Sequence, residues 1–204
     1  MIKKNFKNFK KSIICICTAF SLLFTVSCVA AKDNASSKID NFRGYEWNTS
    51  IDDIQPKEIS PEMEESVDYQ IDEEPESGIK GILVNDGYVD KYDAAVGFLF
   101  LEDALIAGMY ELGIDDNNFY DIASSVSEKY GEPFLEKDSE EYGKCFLWID
   151  EEGGCIALSA DADILVYIAP DSPFVEFASL TFESYHEIDL PREIEKATDR
   201  HIGF

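Results

Sequence analysis

Ala94-Ala-Val-Gly-Phe-Leu-Phe-Leu-Glu-Asp-Ala-Leu-Ile-Ala-Gly-Met-Tyr-Glu-Leu112 is the stretch that decides the fold class. Two apolar runs, 94–101 and 104–112, flank the polar pair Glu102-Asp103, which predicts a β-hairpin turning at that pair. Side chains alternate between the faces of a strand. Val96, Phe98 and Phe100 therefore share one face, and Leu99 and Leu101 share the other. A strand that is apolar on both faces is buried on both, so this hairpin belongs at the centre of a sheet.

Upstream, 79–84 reads as a further strand, with Asn85-Asp86-Gly87 as a turn signal. Before it, nine acidic residues and Pro56, Pro61 and Pro75 crowd positions 56–77. Such a composition predicts a long, exposed, mobile acidic loop. The segment Phe42-Arg-Gly-Tyr-Glu-Trp-Asn-Thr-Ser-Ile-Asp-Asp-Ile54 reads as a short strand and a helical turn capped by Thr49, with Asp52 as acidic partner and Pro56 as stop.

Downstream, Phe119, Ile122, Ala123, Val126 and Tyr130 recur at helical spacing. They predict a helix over 117–130, capped by Asp116 or Asn117 and ended by Gly131-Glu132-Pro133. Strands are expected at 144–149, 155–159 and 164–169. Segment 173–185 fits a helix capped by Ser172, although its aromatic and β-branched content also suits a strand; the helix is preferred. A short helix over 191–200 ends the reading. Phe98-Leu-Phe-Leu-Glu-Asp103 echoes Phe146-Leu-Trp-Ile-Asp-Glu151, which suggests a tandem helix-then-strands repeat. The expected fold is α+β, an antiparallel meander sheet with helices packed on one face, in a single acidic domain over 42–204.

The chain carries 17 basic against 42 acidic residues, a net charge of −25. Its first 27 residues contain five lysines and no acid, so the remainder stands at −30. This field disfavours nucleic-acid backbones and anionic membrane surfaces. It suits a solvated face, a cation or a basic partner.

The lysines Lys3, Lys4, Lys7, Lys10 and Lys11 precede an uncharged apolar run from Ile13 to Val26. This is the layout of an export signal. Fourteen residues reach about 21 Å as a helix, short of a hydrocarbon core of about 30 Å. Thr25-Val26-Ser27-Cys28 resembles the lipobox of bacterial lipoproteins, with Thr25 where that pattern usually has Leu. The resemblance implies a signal peptide over 1–27, acylation of Cys28, a flexible tether over 28–41, and placement at a membrane surface of the cell envelope. Val29 after the cysteine implies outer-membrane delivery in a two-membraned cell. A competing site, Val29-Ala30-Ala31, satisfies the rule for ordinary signal peptidase and implies a secreted protein cleaved after Ala31.

The leader, the segment Phe42-Arg-Gly-Tyr-Glu-Trp47 with Ser50-Ile-Asp-Asp-Ile54, and Lys129-Tyr-Gly-Glu-Pro133 resemble small bacterial envelope lipoproteins. Those have a compact α+β fold, loosely like β-lactamase-inhibitor-protein and BamE-type domains. Asn48 stands where such proteins commonly have Gly after Trp. The resemblance implies a binding or structural module without assigned activity.

Little in the chain points to chemistry. Cys15 and Cys17 leave with the leader. If Cys145 and Cys155 lie on consecutive strands, pairing near Ala160 and Asp150 respectively, about five rungs or roughly 17 Å separate them. A disulfide needs less than about 7 Å, so no bond is expected. The imidazoles are His186 and His201, with no nucleophile elbow and no zinc spacing. Asp161-Ala-Asp163 and Asp115-Asp116-Asn117-Asn118 with Asp121 carry calcium-type ligands without the full loop pattern. Gly153-Gly154 reads as a hairpin turn, not a phosphate loop. No catalytic residue, metal, cofactor or disulfide is expected. The leading expectation is a non-enzymatic, lipid-anchored protein-binding module. A secreted inhibitor or binder stands second, and a carboxylate-dependent hydrolase, whose two acids the sequence does not nominate, stands third.

Overall fold

The computed structural model describes residues 38–54, 69–74, 79–89, 91–115, 118–139 and 143–202. The leader, Cys28 and most of the expected tether lie outside these residues, as do 56–68 and 75–77 of the acidic stretch.

The strands in chain order are β1 (Asn41–Phe42), β2 (Tyr45–Glu46), β3 (Tyr69–Glu74), β4 (Ile79–Val89), β5 (Tyr92–Leu101), β6 (Ala104–Glu111), β7 (Leu135–Ser139), β8 (Gly143–Ile149), β9 (Cys155–Ser159) and β10 (Ile164–Ile168). The helices are α1 (Phe119–Tyr130), α2 (Phe174–His186) and α3 (Leu190–Ile202), with a 3-10 turn at Ile51–Asp53. The fold is α+β. Strands β3 to β10 form one antiparallel sheet in the order β3-β4-β5-β6-β10-β9-β8-β7.

The hairpin β5–β6 sits near the centre of this sheet, as its two apolar faces require. Glu102 and Asp103 both take positive φ, 50° and 67°, the backbone of a tight two-residue turn whose twist matches that of the strands. Beyond β6, register passes to β10, with Tyr110 opposite Leu165 and Gly108 opposite Tyr167. Two four-stranded meanders, β3–β6 and β7–β10, thus join through their last strands. The sequence echo does not follow this repeat. Phe98 lies on the third strand of the first meander and Phe146 on the second strand of the other.

Alternation along the strands builds two cores. On one face Phe98, Phe100, Phe146, Trp148 and Leu165 pack with α1 through Phe119, Ile122, Ala123, Val126 and Tyr130. On the other, Cys145, Leu147, Cys155, Ala157, Val166 and Ile168 meet Ala178 and Phe182 of α2 and Leu190 and Ala197 of α3. The helices therefore cover both faces and not one, because strands apolar on both sides need a cover on both. Each fully buried large apolar side chain contributes about 1.5–3 kcal/mol.

The short β1–β2 hairpin completes the first face. Phe42 lies against the rings of Phe98, Tyr110 and Tyr167, with centroids 5.1, 5.2 and 5.4 Å away. Gly108 makes this possible, since a Cβ there would stand 2.1 Å from the Phe42 ring.

Several elements differ from the sequence reading. Tyr69–Glu74, inside the span read as a mobile loop, forms edge strand β3, paired along its length with β4. Asn85-Asp86-Gly87 is no turn. It is a bulge within β4, where register shifts between Val84 and Gly87. Gly87 is needed there because a Cβ would approach Val96 Cγ2 to 2.3 Å. Ser50, not Thr49, caps the 3-10 turn, accepting from the Asp52 N–H, while Thr49 Oγ1 donates to the Glu46 carbonyl. Strand β7 went unforeseen, since Leu-Glu-Lys-Asp-Ser has one apolar residue, as suits a charged sheet edge. Of segment 173–185, the helix takes Phe174 onward and runs to His186, with Pro173 and not Ser172 at its N-cap position, while Ser172 Oγ accepts from the Phe174 N–H at 3.2 Å.

Candidate functional site

The chain becomes part of the domain earlier than the expected tether, 28–41, allows. Ile39 is fully buried in the core that also holds Phe42 and Trp148. Its backbone is clamped at both ends of the residue. The Ile39 N–H donates to Asp150 Oδ2 at 2.7 Å, and its carbonyl accepts from the Trp47 indole Nε1 at 2.7 Å. The reason lies in composition: Ile39 and Phe42 are apolar residues at the end of a small, polar run, and the core takes them in.

Asp150 follows directly on β8, at the turn into β9. Asp150 is 3% exposed, and burial of an unpaired carboxylate is costly. Three backbone donors satisfy it. Oδ1 accepts from Glu152 N and Gly154 N, both at 2.9 Å, and Oδ2 takes Ile39. The turn is shaped around this group. Gly153 has φ 87°, a left-handed backbone that glycine adopts without strain. At Gly154 a Cβ would lie 2.9 Å from Asp150 Oδ2 and 3.1 Å from the Ile39 carbonyl oxygen. At the surface, Lys38 Nζ pairs with Glu152 at 2.9 Å. Both side chains are more than half exposed, so solvent screens this pair and it adds little to stability. The sequence reading missed Asp150 as a site residue. The available signal was the Asp-x-x-Gly-Gly pattern, in which a carboxylate turns back onto its own loop.

On the other face of the sheet a serine and a histidine meet. Ser159 Oγ and His186 Nε2 are 2.6 Å apart, and both residues are fully buried. Ser159 Oγ also accepts from the Ala162 N–H at 3.0 Å, and the His186 carbonyl accepts from Lys137 Nζ. Cys145 stands opposite Ser159 in the register of β8 and β9. A nucleophile must be reached by substrate, and this serine lies beneath α2 with no solvent exposure. The arrangement ties the end of α2 to the sheet.

The two cysteines are buried and free. Cys155 registers with Ile149 and Cys145 with Ser159, so four residue steps separate them, one fewer than expected. That is about 14 Å, still about twice the reach of a disulfide. Burial pushes both thiols well above the usual range for cysteine.

The calcium-type residues are engaged in the fold. Asp115 and Asn118 cap each other, with Asp115 N donating to Asn118 Oδ1 at 2.7 Å and Asn118 N to Asp115 Oδ1 at 3.0 Å. Asp161 and Asp163 accept from the backbone of Lys144 and Ile114. Asp121 accepts from Lys91 Nζ and from the Tyr92 hydroxyl, each at 3.0 Å. The Lys91 hydrogen bond lowers its carboxyl below the ordinary range. Asp116 and Asn117 lie outside the described residues, as does the side chain of His201.

A cavity of about 90 Å³ opens beside α1, lined by Val89, Ile122, Val126, Lys129, Tyr130 and Tyr167. An ordinary small-molecule site has about 300 Å³ or more. No helix among the described residues is long and apolar enough to cross a membrane. The chain matches no protein-family model, no curated protein and no solved structure.

Proposed function

We propose that this chain is a non-enzymatic envelope lipoprotein, anchored through acylated Cys28, whose folded domain is a protein-binding module. The observation that carries the reading is the sequence Thr25-Val-Ser-Cys28 after a lysine-rich, apolar leader, with ten residues, 29–38, between Cys28 and Ile39. The eleven steps from Cys28 to Ile39 span at most about 40 Å when extended, so the domain rides close to the membrane on the side where Asp150 receives the chain. Several acyl chains on one cysteine give durable anchoring, because each buried CH2 contributes about 0.8 kcal/mol and a single chain is marginal. The clamp at Ile39 gives the tether a fixed origin in the domain.

Binding in place of catalysis is supported by what the polar side chains do. Among the described residues, Ser159, His186, Asp150, Asp115, Asp121, Asp161 and Asp163 are engaged in hydrogen bonds that hold the fold, and the cavity beside α1 is smaller than an ordinary small-molecule site. The test is to replace Cys28 with Ala and follow fatty-acid incorporation in cells. The wild type should incorporate label and sediment with membranes, and Cys28→Ala should do neither. Unchanged labelling of Cys28→Ala would defeat the reading.

A further inference from the structure

Resting on the protein-binding reading above, we infer that the outer face of α2 is the docking surface, and that its partner is a protein segment pairing apolar side chains with a row of Lys or Arg. Five large hydrophobic side chains stand clearly exposed among the described residues, and three of them, Phe177, Leu180 and Tyr185, belong to this one helix. Phe174, half-buried at the edge of the core beneath α2, adds a third ring, stacked on Phe177 with centroids 6.2 Å apart and planes 17° from parallel. Residues three and four apart are neighbours on a helix surface, so Phe174, Phe177, Leu180 and Thr181 form one continuous apolar stripe. The opposite side of α2 is already used, since Ala178, Phe182 and His186 are buried against the sheet.

Charge decides what covers the stripe. Glu176 and Glu183, both exposed, lie seven residues apart along its Leu180 flank, and the exposed Glu187 follows four residues on as the left-handed cap of the helix. Helix α2 carries no Lys or Arg. A second copy of this chain laid on the stripe would bring the same carboxylates and no cation on that helix to meet them. An anionic lipid surface is repelled by the same row. A segment with apolar side chains on one side and basic side chains at matching seven- and four-residue steps satisfies both features, in the manner of an amphipathic helix laid along a groove. Such charges act chiefly on partner choice and the rate of encounter.

The test uses the full chain and two readouts. In vitro, a synthetic helical peptide with a Leu stripe flanked by lysines at those steps is titrated by fluorescence anisotropy. It should bind the wild type, bind the Glu176→Gln, Glu183→Gln, Glu187→Gln variant about tenfold more weakly, and lose affinity as salt rises. It should not bind Phe177→Ser, Leu180→Ser. Equal binding by all three proteins, or none by any, would overturn the inference. In cells, a photo-crosslinking side chain is placed at Leu180 and, on the far face, at Tyr120. An adduct at Leu180 that maps to a basic, apolar protein segment supports the inference. An adduct at Leu180 to lipid, to a second copy or to an acidic segment overturns it. A protein adduct at Tyr120 alone overturns it while leaving the protein-binding reading intact, and no protein adduct at either position overturns both.

Discussion

The backbone N–H of Ile39 donates to the buried carboxylate of Asp150 at 2.7 Å, across 111 positions of sequence. The same carboxylate holds its own turn through Glu152 and Gly154. Asp150→Ala leaves these donors without their acceptor. Each buried donor left unmatched costs about 1–3 kcal/mol, so urea unfolding should show a loss of roughly 3 kcal/mol or more. Asp150→Asn keeps one acceptor oxygen and should lose less. Ile39→Ala, at a fully buried side chain, should cost about 2–5 kcal/mol. Wild-type stability in Asp150→Ala would show that the clamp contributes nothing.

The contact between Gly108 and Phe42 makes a second prediction. Gly108→Ala puts a methyl where the Phe42 ring lies, and overpacking of this kind costs about 1–3 kcal/mol. Phe42→Ala alone is also destabilising, but in that background the Gly108→Ala penalty should shrink. A double-mutant cycle measures this coupling, and additive losses would contradict the close packing.

Glu111 gives a pH dependence. Desolvation at the end of β6, with the like charge of Asp163 second, raises its carboxyl above the usual range. The folded state therefore holds this proton more tightly than the unfolded state. Its contribution to stability is present below the unfolded value and is lost as pH rises through the folded one. Glu111→Gln should flatten this part of the stability profile and leave the protein more stable than wild type at neutral pH. Thermal melts from pH 4 to 8 check both, and an unchanged profile would contradict the account.

Cys145 and Cys155 should resist thiol reagents in the native protein. The thiolate is the reactive form, and burial both raises the thiols and shields them. Labelling followed by mass spectrometry should find both unmodified until denaturant unfolds the chain, after which both react. Stoichiometric modification of either under native conditions would mean that the face under α2 opens.

The sequence was legible where a single periodicity ruled. The two apolar faces of β5 and β6 announced a central hairpin, and the spacing of Phe119, Ile122, Val126 and Tyr130 announced α1. It was less legible where a residue's role depends on a distant partner. Gly87 looks like a turn glycine, but its small size is demanded by Val96 across the sheet. Strands β3 and β7 are sheet edges, where pairing on one side and a charged composition leave little apolar pattern to read. Ile39 looked like part of a tether because nothing local says that Asp150 waits for its N–H. The stripe on α2 was visible as aromatic residues at helical spacing, yet only the fold tells which of them face outward.

The proposed anchoring requires that Cys28 be the mature, lipid-bearing N-terminus. Intact mass and N-terminal peptide analysis of the protein recovered from the membrane fraction test it most directly. The expected chain begins at Cys28 and carries the added mass of its acyl groups. A chain beginning at Lys32, recovered in the soluble fraction without lipid, would contradict it.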